Sequence, residues 1–137
     1  MSIKENNFPL QGEIWLINFN ILNIDEVIKI RPALVISNNI QNELDRQIII
    51  ATITSNKKEF ENKADYEVIL KSEESNGIDI ESKILLNRIQ TIFKEHKNRK
   101  PFIKKIGSIS EEKWLEVSNS LQLVFSKNPL LEMMRNK

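Results

Sequence analysis

A mainly β domain of the α+β class, a small antiparallel barrel with one C-terminal helix, is the fold this sequence predicts. Three observations carry it. Short segments rich in β-branched residues, several alternating apolar with polar, fill the first two thirds of the chain. A single long stretch with helical spacing follows near the end. No linker of low complexity and no internal repeat divides the 137 residues, a length suited to one domain with a real core. The expected layout is a loose N-terminal arm over residues 1–10, a barrel over 11–107, a helix over 108–127 and a tail over 128–137.

Each element has its own warrant. In GEIWLINFN, Trp15, Ile17 and Phe19 fall on one side of a strand and Ile14, Leu16 and Asn18 on the other. NILNIDE, residues 20–26, reads as a loop. VIKIRPALVIS and RQIIIATITS form the next strand pair, joined through Asn38–Asp45, which has room for a helical turn. Asn56–Asp65 is charged and polar, an exposed loop. YEVILK alternates as a strand, Asn76-Gly77 marks a turn, and IDIESKILLNRI resumes the strand pattern several residues later. KEHKNRKPFIKK reads as a basic segment broken by Pro101. SISEEKWLEVSNSLQLVFSKN is the helix. Ser110 is its expected N-cap, Glu111 and Glu112 complement the dipole in the first turn, and Trp114, Val117, Leu121, Val124 and Phe125 form its buried stripe.

Composition removes several kinds of chemistry. With no cysteine there are no disulfides, thiolate nucleophiles or thiolate metal sites, and the lone His96 cannot build a histidine-rich metal centre. No metal or cofactor is therefore expected. Three glycines, with no G-x-G-x-x-G or Walker pattern, argue against a glycine-rich phosphate loop. A net charge of +1 neither requires nor forbids a nucleic-acid partner. Apolar runs such as QIIIATI are too short to span a bilayer, so the cytosol and no membrane partner are the expectation.

One detail stands out in IKIRPALVISNN, residues 28–39. An apolar strand opens with a permanent cation, Arg31, followed by Pro32, which has no N–H to give to a ladder. A strand-edge arginine that snorkels to water explains this. So does an arginine held against a phosphate.

The order QGEIWLINF, RPALVISNN, IIIATITS, NGIDIESKILLNRIQTI and IGSISEEKWLEVSNSL resembles the MazF/PemK/Kid family of bacterial toxins from Gln11 to Phe125. The most specific pieces are Arg31-Pro32-Ala33-Leu34-Val35, Ile53-Thr54-Ser55 and Ser82 to Ile92. The resemblance implies an SH3-like barrel, a homodimer, and metal-independent, sequence-specific cleavage of single-stranded RNA. It implies products with a 2′,3′-cyclic phosphate (or a 3′-phosphate) and a 5′-hydroxyl, and a cognate antitoxin that covers the RNA groove.

On the same basis Arg31 matches the family's catalytic arginine and Thr54 its threonine. The residue types suit the chemistry. Attack of a 2′-hydroxyl on phosphorus builds charge on the non-bridging oxygens, where a planar, always-charged donor fork fits. A threonine hydroxyl can donate to the same phosphate. Ser55, Asn87, Arg88 and Gln90 are the candidate RNA-binding residues. Asn87 stands where one branch of the family has an acid, the loop after the first strand lacks the histidine some members use, and the general base is unassigned. Glu13 is a carboxylate on the first strand; a solvent-facing position explains it equally. The cluster Lys94, His96, Lys97, Arg99, Lys100, Lys104 and Lys105 fits either a solvated face or an RNA backbone. Trp15 and Phe19 fit core better than base-stacking platform. Specificity is expected in the loops Asn20–Lys29 and Asn56–Asp65. A non-enzymatic toxin that binds a protein target, like the CcdB proteins that share the fold, and a lapsed paralogue that only binds antitoxin are the competing readings.

Overall fold

In the computed structural model, residues 7–20, 29–56 and 64–127 are described. The loops proposed for specificity fall mostly in 21–28 and 57–63, and the tail in 128–137; these and the first six residues lie outside the described residues. Six strands and two helices follow in the order β1 (Glu13–Asn18), β2 (Ile30–Val35), α1 (Asn39–Leu44), β3 (Gln47–Thr54), β4 (Glu67–Leu70), β5 (Ser82–Phe93), β6 (Phe102–Ser108) and α2 (Glu111–Phe125). The sheet order is β4-β5-β3-β2-β1-β6, antiparallel at every pairing. The mainly β fold with a terminal helix is as expected. The barrel, however, is not closed by a ladder: β4 and β6 are its two edges.

The gap between those edges is spanned by the turn after β4. Ser108 N–H donates to the Ser75 carbonyl at 3.0 Å. The approach is close enough to demand glycine on both sides. A Cβ on Gly77, at φ +71°, would sit 2.1 Å from the Ile106 carbonyl oxygen, and one on Gly107 would sit 2.3 Å from the Asn76 carbonyl carbon. Asn76, 2% exposed, fixes the turn from within by accepting from Ile78 N–H and donating to the Lys71 carbonyl.

Alternation along the strands builds two apolar layers. Ile14, Leu34, Ala51, Ile53, Ile84 and Leu86 pack on one side with Val117 of α2, and Trp114, Leu121 and Val124 extend that contact. Fully burying a side chain such as Leu34 contributes roughly 1.5–3 kcal/mol. Ile17, Ala33, Val35, Ile48 and Ile50 form the other layer, bordered by Trp15, Phe19, Ile92 and Phe102. The opposed directions read from β1 therefore hold, with Trp15, Ile17 and Phe19 together.

Both helices start on side-chain caps. Asn38 accepts from Gln41 N–H at 2.8 Å, and Ser110 accepts from Lys113 N–H at 3.1 Å. In α1 the buried Asn42 bonds Ser37, whose hydroxyl in turn accepts from Ile49 N–H, tying the helix to β3. Lys113 reaches the Ile69 carbonyl at 3.0 Å and Ser120 the Asp65 carbonyl at 3.2 Å, tying α2 to the β4 edge.

Three expectations need correction. Phe125, read as part of the buried stripe, is 69% exposed at the end of α2. KEHKNRKPFIKK is not simply a broken basic run, because its second half opens β6 and pairs with β1 through two register shifts. Pro101 sits just before that strand, where its missing N–H costs no ladder bond. The N-terminal arm is anchored at its end: Pro9 is buried and Leu10 N–H donates to Glu13. No helix among the described residues is long and apolar enough to cross a membrane.

Candidate RNA-processing site

The site begins with register. Ile17 of β1 lies opposite Arg31 of β2, and Thr54 of β3 lies opposite Lys83 of β5, itself opposite Ile69 of β4. Between β2 and β3 the pairs are Ala33–Thr52, Leu34–Ala51 and Val35–Ile50. Continued by two residues, that register sets Arg31 opposite Thr54. Directly opposed residues share a face and stand about 5 Å apart. One transverse row therefore runs Arg31, Thr54, Lys83 on the face opposite α2. The two residues expected to share one phosphate are neighbours in it.

The row's electrostatics are uneven. Arg31 is exposed, and among the described residues its guanidinium has no hydrogen-bond or ion-pair partner. The Thr54 hydroxyl accepts from Asn56 N–H at 3.2 Å, which leaves its proton to donate outward. Lys83 is the opposite of Arg31: it is 1% exposed and pairs with Glu67 at 3.3 Å. Glu67 also accepts from Ala64 N–H at 2.7 Å. A buried cation this close to Thr54 was missed by sequence reasoning. Its signal was a lysine in SKILL with a glutamate on the neighbouring edge strand, and only the pairing of β4 with β5 joins the two.

The candidates on β5 are arranged by a large irregularity. Ala51 pairs with Ile89 while Thr52 pairs with Leu85, so Leu86, Asn87 and Arg88 have no counterpart on β3. Such an excess bends a strand and re-aims its side chains. Leu86 stays in the core, whereas Asn87 and Arg88 are exposed. Thr52 holds the excess in place by donating from its hydroxyl to the Arg88 carbonyl at 3.2 Å. Asn87 and Arg88 thus project beside Thr52, two residues from Thr54 along β3.

Ser55, exposed, directly follows Thr54. Gln90 is more distant. It faces Ile50, four residues from Thr54, about 13 Å along the strand. The strict alternation that would set Arg88 and Gln90 on one face is interrupted by the excess that ends at Arg88.

Glu13 is not near this row. It is four residues up β1 from Ile17, about 13 Å away, and its carboxylate accepts from Leu10 N–H and Trp15 Nε1 and pairs with Lys105 at 2.9 Å. Its role is to hold the start of β1. His96 lies at the far end of β5, bridged to Arg99 and with its ring 5.2 Å from that of Phe93. Among the described residues no cluster of three or more His, Cys, Asp or Glu side chains is arranged to hold a metal ion.

Known proteins are similar to this chain over most of its length. The family model of PemK-like, MazF-like toxins of type II toxin-antitoxin systems matches residues 10–125. The endoribonuclease MazF of Staphylococcus epidermidis is 28% identical over 119 residues, covering 86% of this chain and 92% of that protein. Among solved structures, an endoribonuclease from mycobacterial species superposes with TM-score 0.65 at 14% identity, over 88% of this chain and 94% of the other. A MazE–MazF structure from Deinococcus radiodurans gives TM-score 0.64 at 17% identity, over 88% and 98%. At these identities the structural likeness bears on the fold alone.

Proposed function

Since the chain belongs to the PemK-like, MazF-like toxins of type II toxin-antitoxin systems, we propose that it is an endoribonuclease that cuts single-stranded RNA at Arg31 and Thr54. The observation that carries this reading is the row itself. With the β2–β3 register continued by two residues, it sets an exposed guanidinium beside a hydroxyl that accepts from Asn56 N–H and keeps its own proton to donate, on a face the helix leaves free.

In the proposed step the 2′-oxygen bonds to phosphorus as the bond from phosphorus to the 5′-oxygen breaks. The 2′-hydroxyl loses its proton to a base other than Arg31, because a guanidinium hardly ever deprotonates. The 5′-oxygen takes a proton from water, leaving a 2′,3′-cyclic phosphate and a 5′-hydroxyl. Arg31 holds two phosphoryl oxygens as their charge grows, and Thr54 donates to one of them. Asn87, Arg88 and Ser55 contact the nucleotides flanking the scissile phosphate, and Gln90 contacts one farther along. The working unit is a homodimer in the cytosol, silenced when a cognate antitoxin covers this face.

Incubating the purified protein with mixed-sequence single-stranded RNA in EDTA, then mapping both ends of each product, tests the reading. Site-restricted cuts with 5′-hydroxyl and cyclic-phosphate ends are the expected outcome. Intact RNA, with growth arrest on expression unchanged in Arg31→Ala, points instead to a toxin that acts by binding a protein.

A further inference from the structure

The basic cluster around His96 is absorbed by nothing in the proposed site, and the structure gives it a definite place. Three of its lysines, Lys94, Lys97 and Lys100, line an open groove of about 1060 Å³ together with Trp15 and Phe102. We propose that this groove is a second RNA subsite, which takes the flank of the strand whose scissile phosphate lies at Arg31. The inference rests on the ribonuclease reading above and extends it to a place where no phosphodiester bond is cut.

Four observations converge. The first is charge. Arg46, Lys94, Lys97 and Lys100 line the groove against two acids, Glu43 and Glu95. Lys94 is occupied with the Asn42 and Glu43 carbonyls, at 2.8 and 3.1 Å. Lys97 and Lys100 are exposed and make no hydrogen bond or ion pair with described residues.

The second is the aromatic floor. Trp15 and Phe102 meet edge to face with centroids 6.0 Å apart, and both are half-buried. The Trp15 ring is held by its Nε1 bond to Glu13, which Lys105 and Leu10 fix in turn. Fixed aromatic faces beside cations are how single strands are bound without base pairing.

The third is continuity. Phe102 lies opposite Ile17, and Ile17 lies opposite Arg31. The floor of the groove therefore starts two strand spacings, about 10 Å, from the backbone of Arg31 and on the same face.

The fourth is backbone strain. His96 and Arg99 bridge a two-residue turn in which Lys97 has φ +48° and Asn98 φ +64°. A turn with both central residues in the left-handed region favours Asn-Gly, and lysine is a poor choice for its first position. The strain places an ammonium with no partner among the described residues at the tip of the turn, on the rim of the groove. Local strain retained at a site of this kind points to use rather than stability. An acidic peptide would satisfy the cations but would make no use of the two aromatic side chains that line the groove with them, so the observations favour RNA.

Lys97→Gly makes the test clean, because glycine relaxes this turn while removing the charge. Binding of a non-cleavable 2′-O-methyl oligoribonucleotide is followed by Trp15 fluorescence in a Trp114→Phe background. On a single strand, the slope of log K against log salt falls by about 0.7 for each phosphate that is no longer neutralised. Lys97→Gly with Lys100→Gln should lower the slope by about 1.4, with the larger affinity loss on longer oligonucleotides and no loss of thermal stability. Unchanged slope and affinity in a variant that still folds overturns the inference. So does tight binding of poly-glutamate with the same sensitivity to the two substitutions while long RNA shows none. If the parent protein cuts RNA and only the slope is unmoved, this subsite alone fails. If the parent cuts no RNA, the ribonuclease reading fails with it.

Discussion

The two faces of the sheet are made from alternate residues of the same strands, yet they change in opposite ways along their length. Under α2 the layer is apolar from end to end, through Ile14, Leu34, Ala51, Ile53, Ile84 and Leu86. On the far face Ile48, Ile50, Val35 and Ala33 give way to Thr52, Thr54, Arg31 and Lys83 within a few residues. Period-two alternation lets one strand serve both purposes. In β2, Leu34 is wholly buried beneath the helix side while Arg31, three residues away, is open to solvent. The lesson is that burial and the proposed chemistry are separable by face, so substitutions a few residues apart should affect different measurements.

Lys83 is where that separation should break. It lies on the far face but is sealed, with Glu67 as its ion-pair partner. Lys83→Met leaves a desolvated carboxylate unpaired and should cost about 3–5 kcal/mol in urea unfolding. Adding Glu67→Leu should recover much of that loss. No loss in the single variant means the pair is hydrated and the row is more open than described.

Leu34→Ala tests the other face. A cavity under the helix should cost about 2–5 kcal/mol, and cleavage by the fraction still folded should stay near the parent rate. The smallest effect belongs to the helix that covers this layer. Ser110→Ala removes the cap bond to Lys113 N–H and should cost about 1 kcal/mol, read as a shift in thermal midpoint.

Much of this comparison was legible in the sequence, and the reasons are local. The alternation in GEIWLINFN, the β-branched runs in RPALV and IIIATITS, and Ser110 before two glutamates all act within a few residues, so pattern alone finds them. Arg31 stood out because a charge and a proline open an apolar strand. What stayed hidden depends on distant pairing. SKILLNRIQTIF reads as one continuous strand, and only its partner β3 shows that Leu86, Asn87 and Arg88 are in excess. Lys83 gives no sign of burial in the sequence until Glu67, sixteen residues earlier, is placed beside it. Strand β6 was obscured by its lysines, which are exposed at a sheet edge where charge guards against further pairing. Phe125 fits the helical period, but α2 ends there and leaves its ring exposed.

The central claim is that the open guanidinium of Arg31 stabilises a phosphoryl transition state and contributes little to folding. Single-turnover cleavage of one mapped RNA site by Arg31→Ala, alongside its urea unfolding curve, tests this most directly. A drop of about 100- to 1000-fold in rate, with stability within about 0.5 kcal/mol of the parent, is the result expected. A near-parent rate, or a loss of activity that simply follows a loss of folded protein, would contradict it.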